Sequence, residues 1–139
     1  MKKIFMSIVS VAFLLSGTVY AQSGSVVRDS YGNRIGEIDS NGVMRDRTGN
    51  RIGEFDSGVV RDRNGNRMGE IDSNGVIRDR NGNRMGEIDS NGVVRDRIGN
   101  RIGEIDSNGT VRDRIGNRIG DVGSSANRQE AAYWFFFKD

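Results

Sequence analysis

The side chains able to do chemistry in this chain are carboxylates and guanidinium groups, and they recur at fixed intervals. Asp29, Asp46, Asp62, Asp79, Asp96 and Asp113 each follow an Arg that follows an apolar residue, as in Val60-Arg61-Asp62. A Gly-Glu pair such as Gly69-Glu70 follows in each copy, with Gly120-Asp121 in the last. Carboxylates alone can cleave glycosidic bonds, but that chemistry needs two acids made unlike by their surroundings and set in one cleft. Acids repeated evenly along a chain offer no such pair. The chain has no His and no Cys, which removes thiol nucleophiles, imidazole bases and the usual zinc sites. No catalytic, cofactor-binding or metal-ligating residue is assigned, no ligand-binding residue is identified, and the chain is read as non-enzymatic.

Asp62-Arg63-Asn64-Gly65-Asn66 invites comparison with calcium loops, which place oxygen ligands at alternate positions around a Gly. The full loop ends on a further acid and carries more carboxylates. Here Arg63 interrupts the ligands, so turn formation is the better reading. Gly-Asn-Arg-Ile-Gly, as at Gly99 to Gly103, lacks the strand-loop-helix setting of a phosphate loop.

These groups must be held by a repeat. The phrase Val-Arg-Asp-x-x-Gly-Asn-Arg-(Ile/Met)-Gly-(Glu/Asp) starts at Val27, Met44, Val60, Ile77, Val94 and Val111. The spacing is seventeen residues, except where Asp56-Ser57-Gly58 lacks an Asn. Self-similarity at a fixed period sets the architecture. Several Gly residues per copy exclude helix, since each interior Gly costs roughly 1 kcal/mol against Ala. Asp62-Arg63-Asn64-Gly65 and Asp72-Ser73-Asn74-Gly75 each suit a type I turn closed by a left-handed Gly, the three-residue hairpin with a bulge. Strands of about five residues separate the turns.

The expected register sets Arg61 opposite Arg67, Val60 opposite Met68, Glu70 opposite Arg78 and Ile71 opposite Ile77. Met68 and Ile71 are three apart, which puts them on opposite faces of a regular strand. A bend at Gly69 is expected to return both to one core. In the short copy a two-residue turn still sets Phe55 opposite Val60.

Residues 1–21 read as a secretory signal peptide: Lys2 and Lys3, an apolar run from Ile4 to Leu15, and small residues before a cleavage point at Gln22. The run is shorter than the ~20 residues of a spanning helix. The product is expected to be exported, whether periplasmic, surface-bound or secreted, and not transmembrane. The full chain has net charge +2, and losing Lys2 and Lys3 brings the remainder to zero. Arg and acid alternate throughout, unlike the one-signed patch of a nucleic-acid binder.

Residues 22–139 form one domain, with repeats over 25–125 and a tail over 126–139. Each copy has too few apolar side chains to bury a core alone, so copies must share one. The tail holds Tyr133-Trp134-Phe135-Phe136-Phe137, with half of the six Phe and the single Trp. Exposed, it would aggregate. It is expected to plug the repeat body, as a strand.

The repeats, the leader and the closing Ala-Ala-Tyr-Trp-Phe-Phe-Phe resemble the 5-fold beta-flower proteins, small exported proteins of Bacteroidetes, over Ser25 to Phe137. The resemblance implies an all-β fold of hairpin petals around a pseudo-five-fold axis, closed by terminal strands and an aromatic plug. It carries over no site residues. The residues give five full hairpins, from Arg34–Asp46 to Arg101–Asp113. Val26–Asp29 and Arg118–Val122 are the halves of another and can close the ring. Residues alone leave five-fold and six-fold closure open, while the family's name favours five.

Two functions are expected from different classes. One is a structural or binding module that presents repeated Arg, Asp and Asn turns to a glycan or surface protein. The other is a self-assembling surface or matrix fibre subunit, suggested by short regular strands and an aromatic end.

Overall fold

The computed structural model describes residues 24–138. The leader over 1–21 and the expected cleavage point before Gln22 lie outside the described residues.

The longer turns are each built by their own Asp. Asp62 Oδ1 accepts from the backbone N–H groups of Asn64 at 2.9 Å and Asn66 at 3.0 Å. Gly65 N–H donates to the Asp62 carbonyl at 3.0 Å with φ of 87° at the Gly. Asp72 repeats the arrangement with Asn74, Val76 and Gly75. The short copy uses Ser57 at φ 52° and Gly58 at φ 89°, the two positive angles of a two-residue type I′ turn. Phe55 stays opposite Val60.

The turns join twelve strands: β1 Ser25–Asp29, β2 Arg34–Ile38, β3 Val43–Asp46, β4 Arg51–Asp56, β5 Val59–Asp62, β6 Arg67–Ile71, β7 Val76–Asp79, β8 Arg84–Ile88, β9 Val93–Asp96, β10 Arg101–Ile105, β11 Thr110–Asp113 and β12 Arg118–Asp121. Every strand pairs antiparallel with its sequence neighbours, and β1 pairs with β12, so the sheet is a closed barrel. The closing pair sets Asp121 opposite Arg28 and Gly120 opposite Asp29. That is the register of Glu37 with Arg45 and Gly36 with Asp46 inside the repeats. Five chain-continuous Arg-to-Asp hairpins and one joined from the two ends thus complete the ring. Among the described residues closure leaves no unpaired strand edge.

The expected bend is displaced by one residue. Val60 pairs with Gly69, not Met68, and Arg61 pairs with Arg67, so Met68 is the extra, bulged residue. Met68 is 39% exposed, while Gly69 and Ile71 are buried. Gly69 is therefore an inner-face residue and not a hinge. The reason is crowding, because a Cβ on Gly69 would stand against the Arg78 carbonyl oxygen. In the other copies the bulged Ile35, Ile52, Met85, Ile102 and Ile119 lie half-buried against the core.

The interior is layered. Val27, Met44, Val60, Ile77, Val94 and Val111 form one buried layer. Ile38, Phe55, Ile71, Ile88, Ile105 and Val122 form a second. Gly36, Gly53, Gly69, Gly86, Gly103 and Gly120 form a belt without side chains.

The tail fills the barrel, as its aromatic content predicts, but as a helix and not as a strand. Helix α1 runs from Arg128 to Ala132 and continues as a π-helical turn over Tyr133–Phe137. A strand inside a closed barrel finds no free edge, so the segment must satisfy its own backbone groups. Asn127 caps α1, its side chain accepting from the N–H groups of Gln129 and Glu130. Five consecutive aromatics on a helix point all around its axis. That would be ruinous on a surface, but inside a ring every direction is core. Tyr133, Trp134 and Phe137 are buried, and Phe135 and Phe136 are half-buried.

Candidate functional site

The acids that recur in the sequence are committed to structure. The Asn66 N–H, working against a smaller effect of burial and helped by the Asn64 N–H, holds the Asp62 carboxyl below its ordinary range. On the outer wall Glu87 accepts from Arg84 at 2.7 Å, and Asp89 accepts from Arg95 at 2.8 Å. The same pairs recur as Arg34 with Glu37 and Arg51 with Glu54. Such exposed pairs contribute only ~0–1 kcal/mol each. Among the described residues no group of three or more acidic side chains is placed to hold a metal ion.

The tail gives the barrel two unlike ends. α1 starts at the end carrying the Asp-Ser-Asn-Gly turns, where Arg128 donates to the carbonyls of Ile105 and Ser90. The chain leaves near the other end, where Lys138 shares a cavity with Asp62, Arg63 and Asn64. At this second end Arg47, Arg63, Arg80, Arg97 and Arg114 stand exposed on the turn tips. Among the described residues they make no ion pair or side-chain hydrogen bond, in contrast to the wall arginines.

The plug does not fill the belt evenly. Trp134 packs on Gly36, Phe137 on Gly86, Phe136 on Gly103 and Phe135 on Gly120. Over Gly53 the nearest side chain is Met44, and the three atoms nearest a Cβ on Gly69 are all backbone of Arg78 and Asp79. In that sector a cavity of about 380 Å³ opens toward the turn tips. Met44, Ile52, Val60 and Met68 make its walls, Tyr133 its floor, and Asp62, Arg63, Asn64 and Lys138 its polar lip. The Tyr133 ring is fixed from behind by Phe55, edge to face at 5.9 Å. The Lys138 ammonium lies 5.4 Å from the Trp134 ring centre.

The structure thus brings Asp62, Arg63 and Asn64 together at one cavity. Tyr133, Lys138 and Met68 are additions to the candidate site residues; Met68 holds the Ile/Met position of the repeat phrase, while the repeat pattern does not signal the other two. A fourth is Glu130, which lines a cavity of about 290 Å³ beside Asp39, Ser40 and Ser125 at the opposite end. Burial pushes its carboxyl up to about 7. The signal for it was Asn127-x-x-Glu130, a helix-start pattern.

A family model described as 5-fold beta-flower protein matches residues 16–138. No curated protein and no solved structure matches the chain.

Proposed function

The chain belongs to the 5-fold beta-flower family, and from that premise we propose that it is an exported, non-enzymatic binding module that takes a glycan at the cavity beneath Arg63 and Asn64. The observation that carries this reading is the cavity itself. It joins an aromatic floor and apolar walls to a lip of Arg, Asn, Asp and Lys. Sugar rings present C–H faces that stack on aromatic groups and hydroxyls that bridge planar polar side chains. The volume lies within the range of small-ligand sites. The non-enzymatic part of the reading rests on the acids of the repeats, such as Asp62 and Glu87, which are tied to turn amides and to arginines.

Strands of four to six residues are too short for a membrane-spanning barrel, which needs ~9–11 per strand, and the outer wall carries Arg and Glu pairs. Among the described residues no helix is long and apolar enough to cross a membrane. Export rests on residues 1–21, and N-terminal sequencing of the mature product is expected to begin at Gln22. The fibre alternative needs a free strand edge, and the β1–β12 pairing weighs against it.

Glycan arrays followed by calorimetry test the binding. Arg63→Ala is expected to weaken the best glycan by about tenfold or more, the loss of a hydrogen-bonded charged contact. Arg80→Ala, on an equivalent tip that does not line this cavity, is expected to leave binding unchanged. Equal losses in both variants, or no glycan bound by the parent protein, would overturn the reading.

A further inference from the structure

The six turn tips at the arginine end carry Arg after the Asp, except for Ser30, and they vary most at the next position. Thr48, Asn64 and Asn81 occupy it on the β3–β4, β5–β6 and β7–β8 hairpins. Ile98, Ile115 and Tyr31 occupy it on β9–β10, β11–β12 and β1–β2. Because β12 pairs with β1, these last three tips are consecutive around the ring. One half of the end is polar and the other half apolar. Tyr31 is 89% exposed, Ile98 76% and Ile115 75%.

The turn does not require these apolar side chains. Ile98 N–H donates to Asp96 Oδ1 at 3.0 Å, as Asn64 N–H does to Asp62 Oδ1 at 2.9 Å. None of the three packs against the core. Any cover over them comes from outside the chain.

We propose that this arc docks on an anionic phospholipid surface, with Ile98, Ile115 and Tyr31 entering the headgroup region and Arg97 and Arg114 meeting phosphates. Two features favour a bilayer over a protein partner. Three separate, convex tips present roughly 500 Å² of side-chain surface, well under the ~800 Å² per partner of a stable protein interface. A fluid surface closes around separate tips, which a rigid one does not. Charge is the second feature. Arg97 and Arg114 directly precede the two isoleucines and have no acidic partner among the described residues. The carboxylates beneath them are engaged, Asp96 with the N–H groups of Ile98 and Asn100 and Asp113 with those of Ile115 and Asn117. A few inserted apolar groups and a few phosphate contacts are each weak, and together they give reversible attachment. The glycan cavity lies in the polar half, so the two sites are separable.

Vesicle sedimentation of the exported protein tests the proposal, with phosphatidylglycerol-containing vesicles against pure phosphatidylcholine. Binding is expected to the anionic vesicles and to weaken with added salt. The triple variant Tyr31→Asn, Ile98→Asn, Ile115→Asn takes the residue of Asn64 and Asn81 at each tip. It is expected to keep the parent melting temperature and lose about tenfold or more in partitioning. Arg97→Gln with Arg114→Gln is expected to remove the preference for anionic lipid. A parent protein that ignores both vesicles, or a triple variant that binds equally well, would overturn it. So would a parent dimer in size exclusion that the triple variant abolishes, which would assign the arc to contact between copies.

Discussion

Trp134 packs so closely on Gly36 that a Cβ on the glycine would stand 2.8 Å from the ring's Cη2 atom. The same relationship joins Phe137 to Gly86, at 2.7 Å from the ring's Cζ atom. The inward glycines are the seats of the plug, and the repeat and the tail are one fitted object.

The same Cβ would stand closer still to the Arg45 carbonyl oxygen, so Gly36→Ala is expected to destabilise by about 1–3 kcal/mol, the cost of overpacking against both the ring and the neighbouring strand. Gly82→Ala is the comparison. Gly82 has no atom near its would-be Cβ but a φ of 87°, so its cost is the left-handed strain of about 1–2 kcal/mol alone. Urea midpoints separate the two effects when each alanine is combined with Trp134→Leu. The smaller side chain is expected to rescue Gly36→Ala in part and to leave the effect of Gly82→Ala unchanged.

Much of this was legible because each copy encodes its own turns. Asp and Gly at fixed offsets specify the hairpin locally, so strand positions and ring closure follow from pattern. The Val60 partner was misread for a physical reason: pairing apolar with apolar overlooks an inner-face residue that has no side chain. The helical tail was obscured because Tyr, Trp and Phe favour strands, while Asn127, Glu130, Ala131 and Ala132 carried the opposing helix signals. The cavity beneath Arg63 was not legible at all. It arises in the sector of Gly53 and Gly69, where the atoms nearest the glycines belong to the strands and not to the plug, and that depends on how the tail sits in the barrel.

Truncation after Ser125 is expected to give an unfolded or aggregated product. Burying each large aromatic contributes roughly 1.5–3 kcal/mol, and the plug's share approaches the whole stability of a small domain. In the intact protein Trp134 fluorescence is expected to be blue-shifted and to move red on unfolding in urea. A truncated chain that keeps its β circular dichroism and melting temperature would refute the structural role of the plug.

The short turn offers a gain. Ser57 holds φ of 52° in a two-residue turn ahead of Gly58. Asn tolerates that angle better than Ser, and Asn-Gly is the favoured pair for this turn. Ser57→Asn is expected to raise stability by a few tenths to about 1 kcal/mol, read as a higher melting temperature. An unchanged or lower value would mean that strain at Ser57 does not limit the fold.

Glu130 sets the pH dependence of the plug's entrance. Burial raises its carboxyl from 4.5 to about 7 in the folded protein. The folded state then holds a proton that the unfolded chain releases, so stability falls as pH rises from about 4.5 to about 7. Above that window the buried charge is a standing penalty, and below it the penalty vanishes. Because Glu130 keeps access to solvent, the effect is discounted to about 1–2 kcal/mol. Glu130→Gln carries no charge at any pH. It should match the parent protein at the acid end of the window and exceed it at the alkaline end, with the gap opening between. The lowered carboxyls of Asp72 and Asp89, held by the Val76 N–H and by Arg95 respectively, lose their stabilisation only as pH falls through lower values. They affect both proteins alike. Urea midpoints across the window measure the gap. Parallel profiles for the two proteins would show that the Glu130 carboxylate is fully solvated, and the cavity beside Asp39 and Ser125 would then have to be open to bulk water.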